Sequence, residues 1–321
     1  MSRYILDFEA PLRELEEKIE SLHSTATKTG VDVTSAIQQL EEELLIKKAS
    51  IYENLSRWER VQLARHPKRP HSNDYIERIV DEWIELHGDR YFSDDTAIIG
   101  GIGKIGGQSF VIIGQEKGRG TKNKLYRNFG MPRPEGYRKA LRLMKMAEKF
   151  NIPVLTIIDT IGAFPGLGAE ERGQAEAIAR NLFEMARLNV PIISIVIGEG
   201  ASGGALGIGV ADRLLCFENT WYSVISPEGC ASILFRDATR APEAADSMKV
   251  TAEDLFDLGI ADKIIPEPDG GAHLNYDASA DIMKNVVLEE YDALKTKTNE
   301  ELINDRMVKY EKMGRWDELS E

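Results

Sequence analysis

The sequence contains little cysteine or histidine, which limits the metal chemistry that it can support. Its 321 residues include two cysteines, Cys216 and Cys230, and five histidines that show no ligand spacing. Structural zinc sites are built from four Cys or His ligands in closely spaced pairs. We therefore expect no metal site in this chain. So few cysteines, without a C-x-x-C pair, indicate a reducing compartment, and we expect the cytoplasm.

The sequence also lacks a membrane signal and an excess of positive charge. No apolar run approaches the ~20 residues of a transmembrane helix, and the acidic start MSRYILDFEAPLRELEEK has no apolar signal-peptide core. The formal net charge is −13, which is unfavourable for general binding to nucleic acids or anionic membranes. We expect neither of these among its partners.

The first 70 residues carry a pattern of their own. Two apolar stripes at helical spacing flank TATKTGVDVT: Leu12, Leu15, Ile19 and Leu22, then Ile37, Leu40, Leu44, Ile51 and Leu55. They predict an amphipathic helix pair between residues 9 and 65. The apolar stripes of this pair either pack against the core or form a dimerisation arm. Two prolines in RHPKRPHSND end this pattern. We therefore place a helical region at 1–70 and the main domain at 71–321, with DYIERIVDEWIELHGDR as a helix ending near Gly88.

Residues 151–209 contain an internal repeat. NIPVLTII at 151–158 and NVPIISIV at 189–196 begin two units of apolar strand, glycine-rich turn and helix, offset by 38 residues. Continuous apolar runs are typical of buried parallel strands. AIIGGIGKIGGQSFVIIGQ at 97–115 predicts two further strands joined at Gly106–Gly107. The predicted fold class is therefore α/β.

The second turn of the repeat, GEGASGGALGIG at 198–209, matches two side-chain motifs. As G-x-G-x-x-G, with Glu218 twenty residues after Gly198, it fits a dinucleotide site. However, only about ten residues separate Gly203 from the next strand, and a crossover helix usually needs more. As G-x-S-x-G, it places Ser202 at the apex of a nucleophile elbow, for which His273 is the only downstream histidine.

A third interpretation of this turn uses its backbone. Gly203 and Gly204 lie where a helix begins after a buried strand, and the first amides of a helix have no helical partner. Glycine lets a ligand approach these amides, and the helix dipole favours negative charge, so the turn suits an oxyanion hole. The alternative to an oxyanion hole is a structural role, in which the glycines only allow the helix and the sheet to pack closely. The candidate residues of the surrounding wall, mostly from the first turn DTIGAFPG, are Gly162, Ala163, Phe164 and Gly200.

One stretch is basic in this otherwise acidic chain. KGRGTKNKLYRNFGMPR at 117–133 holds six Lys or Arg residues and no acid. It is either a solvated loop or a binding site for phosphates or an acidic partner. The candidate contact residues are Lys117, Arg119, Lys122, Lys124 and Arg127.

The motifs together resemble a known family. DTIGAFPGLGAEERGQ, GEGASGGALGIG and YSVISPEGCASILF are similar to the crotonase superfamily and, more narrowly, to alpha subunits of the bacterial acetyl-CoA carboxylase carboxyltransferase. LARHPKRP, KGRGTKNKLYRNFGMPRPEGYRKALRLM, GAEERGQAEAIARNL and IIPEPDGGAH extend the resemblance over nearly the whole chain. The family usually has Pro at Ile161, Tyr at Phe164, Gly at Ala201 and Ala at Gly207. Gly203 and Gly204 follow the family pattern.

The resemblance implies a crotonase-like spiral of strand-turn-helix repeats with a helical N-terminal extension and a helical C-terminal tail. In that family, a carboxyl group passes from carboxybiotin on a carrier protein to acetyl-CoA and gives malonyl-CoA, the first committed step of fatty acid synthesis. Release of CO2 leaves negative charge on the biotin ureido group, which removes a proton from the acetyl methyl group. Carried over, Gly203 and Gly204 donate to the ureido oxygen, so we expect a side chain at 204, as in Gly204→Val, to block it.

The resemblance also implies partners. A separate beta subunit carries a zinc ribbon and most of the acetyl-CoA pocket, the assembly is α2β2, and the biotin carboxyl carrier protein delivers the carboxyl group.

Two other functions remain open. One is a stand-alone acyl-CoA hydratase or isomerase with Glu170, Glu171 or Glu228 as acid or base. The other is an assembly subunit without a site of its own.

Overall fold

The two repeated units lie side by side in the sheet and in register. Strands β4 (Val154–Thr160) and β5 (Ile192–Ala201) pair in parallel at its centre. Val154 pairs with Ile192 and Ile158 with Val196, so each partner lies 38 residues further along the chain. Thr156 and Ser194, at equivalent positions, share a 2.6 Å hydrogen bond between their hydroxyls. The sequence repeat is therefore also a structural repeat.

This computed structural model describes residues 4–314. The other strands in that range are β1 (Trp83–Glu85), β2 (Ile98–Ile105), β3 (Gln108–Gln115), β6 (Arg213–Phe217), β7 (Trp221–Ser223) and β8 (Lys263–Ile265). The strand order is β1-β2-β3-β4-β5-β6-β8, and β7 pairs with the end of β5. The pairs within β1-β2-β3 are antiparallel, and all later pairs are parallel. The predicted hairpin at 97–115 is confirmed.

The helices of the described range precede, follow and connect these strands. They are α1 (Ala10–Thr29), α2 (Thr34–Glu53), α3 (Arg57–Ala64), α4 (Ser72–Ile79), α5 (Gly120–Tyr126), α6 (Pro134–Phe150), α7 (Leu167–Glu171), α8 (Gln174–Arg187), α9 (Ser202–Leu206), α10 (Pro227–Leu234), α11 (Ala241–Met248), α12 (Ala252–Asp257), α13 (Tyr276–Leu294) and α14 (Asn299–Glu311). Short 3-10 turns lie at Asp7–Glu9, Asn128–Gly130 and Ala238–Arg240. None of the helices placed between residues 4 and 314 is long and apolar enough to cross a membrane.

The sheet is covered on both faces, as the continuous apolar runs predict. Every residue of β4 and β5 is buried. One apolar cluster joins the sheet to α6 and α8, for example through Leu143 and Met185. The other cluster joins its opposite face to α4 and α13, for example through Ile76 and Met283. The α/β class is therefore confirmed.

Two sequence expectations about helices need correction. The loop expected over TATKTGVDVT is shorter, because α1 continues to Thr29 and ends at Gly30 in the left-handed conformation. The single helix expected up to Gly88 is wrong, because α4 ends at Ile79 and β1 follows. The Asp81 and Leu86 N–H groups donate to the carbonyls of Lys104 and Gly100, both at 2.8 Å. Pairing with the sheet edge therefore overrides the helical spacing of this segment.

Candidate active site between two glycine turns

The two glycine-rich turns meet at the ends of β4 and β5. Within the second turn, Ser202 is exposed, has a left-handed φ of 58° and is the first residue of α9. A Cβ atom on Gly204 would lie only 2.5 Å from the Ala163 nitrogen and 2.7 Å from the Gly162 Cα. The two turns are thus in direct backbone contact, and only glycine fits at position 204.

Free backbone donors lie at this contact. Among the described residues, the structure gives no hydrogen-bond acceptor to the N–H groups of Gly203, Gly204 or Ala163. The Phe164 N–H, next along the first turn, already donates to the Pro132 carbonyl at 3.0 Å and is therefore not free. Negative charge on a ligand oxygen is the natural partner for such amides at a helix start.

The two remaining glycines of the predicted site have different surroundings. Gly203 is half-buried, and a Cβ there would make only ordinary contact with Ile178, at 3.6 and 3.7 Å. Gly200 lies inside β5, where a Cβ would overlap the Tyr222 ring. Gly200 therefore allows β7 to pack on β5, rather than allowing a ligand to approach the free amides.

Buried side chains hold α9 in place. The Gly204 carbonyl accepts hydrogen bonds from Gln115 Nε2 at 2.7 Å and from the Tyr137 hydroxyl at 3.1 Å. Asn181 Nδ2 donates to the carbonyls of Gly207 at 2.9 Å and Tyr137 at 3.0 Å. These bonds fix the short helix before any ligand binds, which is the condition for preorganised charge stabilisation.

An ion-pair network lies beside the two turns. Lys117 Nζ is 2.6 Å from Asp159 Oδ1 and 2.6 Å from Glu199 Oε2, and Arg65 Nε is 2.6 Å from the other Glu199 oxygen. Arg65 also pairs with Glu228. Burial alone would lower the pKa of Lys117, but the charges of Asp159 and Glu199 outweigh it and raise that pKa. Burial would likewise raise the pKa of Glu199, but Lys117 and Arg65 lower it.

The basic stretch divides into paired and unpaired residues. Lys117 belongs to the buried network, Arg119 pairs with Asp74 at 2.6 Å, and Arg127 donates to the Thr96 carbonyl. Lys122 and Lys124 are exposed and have no ion pair within the described residues. Lys124 lines a cavity of about 370 Å³ together with Lys117 and Arg119. Of the five candidate residues, Lys117 and Arg119 are in ion pairs, whereas Lys122, Lys124 and Arg127 have none among the described residues.

The side-chain interpretations of the second turn find no support in the geometry. His273 stacks against His66 with 3.9 Å between ring centroids, and both of its ring nitrogens lack a hydrogen-bond partner. It therefore forms no triad with Ser202. Glu218 Oε2 accepts the backbone N–H of Glu267 at 3.3 Å. The five-residue α9 is far shorter than a crossover helix of a dinucleotide fold.

An apolar cavity of about 390 Å³ opens beside Gly203. Leu206, Tyr222 and Leu255 contribute to its walls, and Lys249 carries the only charge among its described lining residues. Apolar pockets with a few polar groups are the usual form of small-molecule sites. Within residues 4–314, no group of three or more His, Cys, Asp or Glu side chains is placed to hold a metal ion.

Comparison with known proteins decides the family. The model of the family described as acetyl co-enzyme A carboxylase carboxyltransferase-like matches residues 5–314. The chain belongs to this family. This carboxyltransferase-family chain is 55% identical to a Flavobacterium johnsoniae protein over 98% of its own length and 99% of the relative's. It is 56% identical to a Staphylococcus epidermidis protein, with 97% and 99% covered. Both relatives are named acetyl-coenzyme A carboxylase carboxyl transferase subunit alpha.

Solved structures confirm the crotonase-like carboxyltransferase fold. Transcarboxylase 12S matches with a TM-score of 0.59 at 19% identity, over 72% of this chain and 43% of its own. The beta subunit of P. aeruginosa geranyl-CoA carboxylase matches with a TM-score of 0.55 at 17% identity, over 76% and 46%. This carboxyltransferase-family chain therefore spans less than half of each of these two proteins.

Sequence reasoning identified the two glycine turns of this candidate site but missed the side chains that hold them. Tyr137 and Asn181 lie in two of the segments that carry the family resemblance, but no spacing signal links them or Gln115 to the turns. The elements β3, α6 and α8 bring the three side chains there. Gln115 has one sequence signal, since it is a polar residue that ends the apolar run FVIIGQ. The match to the alpha-subunit family also favours carboxyl transfer over the hydratase or isomerase alternative.

Proposed function

We propose that this chain is the alpha subunit of an acetyl-CoA carboxylase carboxyltransferase. It would help to move a carboxyl group from carboxybiotin, held on the biotin carboxyl carrier protein, to acetyl-CoA, giving malonyl-CoA for fatty acid synthesis. The observation that carries the proposal is the set of free amides where two glycine turns meet. The family match along the chain supports the same reaction.

The proposed task of the chain is to stabilise charge without a side-chain catalyst. Bound carboxybiotin supplies the carboxyl group and a ureido oxygen that gains negative charge when that group leaves. Gly203 and Gly204 donate their N–H groups to this oxygen, and Ala163 donates from the facing turn. One such donor contributes roughly 2.7–4 kcal/mol to lowering a barrier in other enzymes. Backbone donors need no proton transfer and no metal ion.

The cavity beside Gly203 suits the shape of this ligand. Its walls are mainly apolar, so the bicyclic ring of biotin would bury against Tyr222 and Leu255 while its polar edge faces the Gly203 amide. Lys249 offers a positive charge near the anionic carboxyl group. The residues that line this cavity therefore fit the carboxybiotin that the proposal requires.

The proposal includes a partner subunit that completes the site. Large apolar side chains are exposed after β7 and on α10: Val224 at 80%, Ile233 at 70% and Leu234 at 67%. Exposed apolar groups of this kind mark protein interfaces. A beta subunit that covers them would bring the acetyl-CoA pocket and the expected zinc ribbon, in an α2β2 assembly. The free cysteines, Cys216 and Cys230, fit a cytoplasmic location.

The hydratase or isomerase alternative lacks a suitable acid or base. Burial would raise the pKa of Glu228, but Arg65 outweighs this effect and lowers it, so the carboxyl group stays ionised and paired. Glu170 and Glu171 are exposed on α7, without an ion pair in the described structure. Glu228 therefore does not have the raised pKa, near the working pH, that a general acid usually needs.

The test is an assay of the chain with and without a beta subunit. Both samples are given malonyl-CoA and free biotin, and carboxylation of biotin is followed as the reverse reaction. We expect activity only when the beta subunit is present. Substantial activity of the chain by itself would overturn the shared site, and no activity of the assembled complex would overturn the proposed reaction.

A further inference from the structure

We propose that Gln115 is a positioning residue that sets the distance and orientation between the two glycine turns. This inference rests on the proposed function, because it assigns the two turns to one site. Gln115 contributes no group to that site. It acts through the backbone of the residues that do, as the following contacts show.

The Gln115 side chain joins both turns through its two ends. Its Nε2 donates to the Gly204 carbonyl at 2.7 Å, and its Oε1 accepts the Asp159 N–H at 3.1 Å. Gly204 belongs to the second turn, and Asp159 is the first residue of DTIGAFPG, near the end of β4. Gln115 itself is completely buried at the end of β3. A single rigid amide therefore spans the two walls of the proposed site.

The local sheet geometry explains why Gln115 is needed. The β3–β4 ladder ends at the pair Gly114–Ile157, and the β4–β5 register shifts between Ile158 and Thr160. Asp159 lies in this irregularity, so its N–H takes the Gln115 side chain instead of a strand partner. A buried amide N–H without an acceptor costs about 1–3 kcal/mol. Gln115 thus supplies the hydrogen-bond acceptor that the sheet lacks near the end of β4, where the first turn begins.

Glutamine is the residue type that satisfies both partners at once. One end must donate to a carbonyl and the other must accept from an N–H, and a neutral amide does both. Methionine has a similar length but offers neither bond. Glutamate keeps an acceptor for the Asp159 N–H, but as a carboxylate it has no proton for the Gly204 carbonyl.

The experiment compares Gln115→Met with the control Thr156→Val, each assembled with a beta subunit. Thr156 is also fully buried in the sheet, and its lost bond goes to Ser194 rather than to either turn. We expect the two variants to lose similar thermal stability. Only Gln115→Met should lower kcat for biotin carboxylation, by roughly 10- to 100-fold, with the KM for malonyl-CoA unchanged.

Amide hydrogen exchange supplies a readout that does not depend on activity. In Gln115→Met, exchange should become faster in peptides covering both 158–166 and 198–207, and it should stay slow in both for Thr156→Val. Equal acceleration in the two variants, or an unchanged kcat in Gln115→Met, would overturn the proposal. If wild-type complex has no transfer activity, the proposed function fails, while the exchange comparison still tests the role of Gln115.

A second variant covers the case in which Gln115→Met does not fold. Gln115→Asn keeps the neutral amide, but its side chain is one methylene shorter and cannot span both partners at once. Exchange should therefore rise in at least one of the peptides 158–166 and 198–207. Unchanged exchange in both peptides would contradict the proposed role of Gln115.

Discussion

Alanine at position 204 should slow carboxyl transfer by roughly 100-fold, whereas alanine at 203 should have little effect. A Cβ on Gly204 would lie 2.5 Å from the Ala163 nitrogen and 2.7 Å from the Gly162 Cα. Ordinary contact between non-bonded heavy atoms begins at about 3.5 Å. The facing turn must therefore move by about 1 Å, because backbone atoms have no rotamer that relieves the overlap.

The expected loss follows from that displacement. A misplacement of about 1 Å at a reacting group costs roughly 100-fold in rate. A Cβ on Gly203 meets only Ile178, at 3.6 Å, and neither glycine has a left-handed φ. Gly203→Ala should therefore stay within a few-fold of wild type. The structure also corrects the reason for expecting Gly204→Val to be inactive, because its side chain would displace the wall rather than fill the oxygen site.

The assay for both variants is malonyl-CoA-dependent carboxylation of free biotin by the assembled complex. Size-exclusion chromatography checks that each variant still binds the beta subunit. Near-parental turnover of Gly204→Ala would refute the reasoning. Equal losses in Gly203→Ala and Gly204→Ala would refute it as well, since the two differ only in what the added methyl group touches.

Three further predictions concern residues outside the glycine pair. Ser202→Ala should retain most transfer activity, and a loss of 1,000-fold or more with an intact fold would restore the nucleophile interpretation. NAD(H) and NADP(H) should cause no upward thermal shift, whereas a shift abolished by Glu218→Ala would restore the dinucleotide interpretation. Burial lowers the pKa of His66 to about 4 and of His273 to about 3. Below about pH 6.5 the unfolded chain therefore binds more protons than the folded one, so the free energy of unfolding should fall from pH 7 to 5. The fall should be less steep in His273→Phe. An equally steep fall in the variant would contradict the role of His273.

The sequence predicted what depends on local pattern. The repeat of 38 residues is visible because both strands must be apolar on two faces, and the structure pairs the two strands at the same offset. Gly203 and Gly204 were identified because a helix start after a buried strand has a distinct composition. These features are local, so one chain is enough to recognise them.

The sequence did not predict contacts that depend on the assembled sheet. Gln115 meets Gly204 across 89 residues, and Lys117 meets Glu199 across 82. Such pairs leave no spacing signal, so Lys117 was assigned to a possible phosphate contact although it lies in an ion network. The edge strand β1 was missed for a related reason. Its apolar residues continue the helical spacing of α4, and only pairing with β2 makes this segment a strand.

The most direct test of the oxyanion site is a crystal structure of the assembled complex with biotin bound. The account predicts the ureido oxygen within 2.7–3.1 Å of the Gly203 and Gly204 nitrogens, the range for an oxyanion donor. The bicyclic ring should lie in the apolar cavity beside Gly203 and against Tyr222. A ureido oxygen held by a side chain such as Ser202, or biotin bound away from both glycines, would contradict the account.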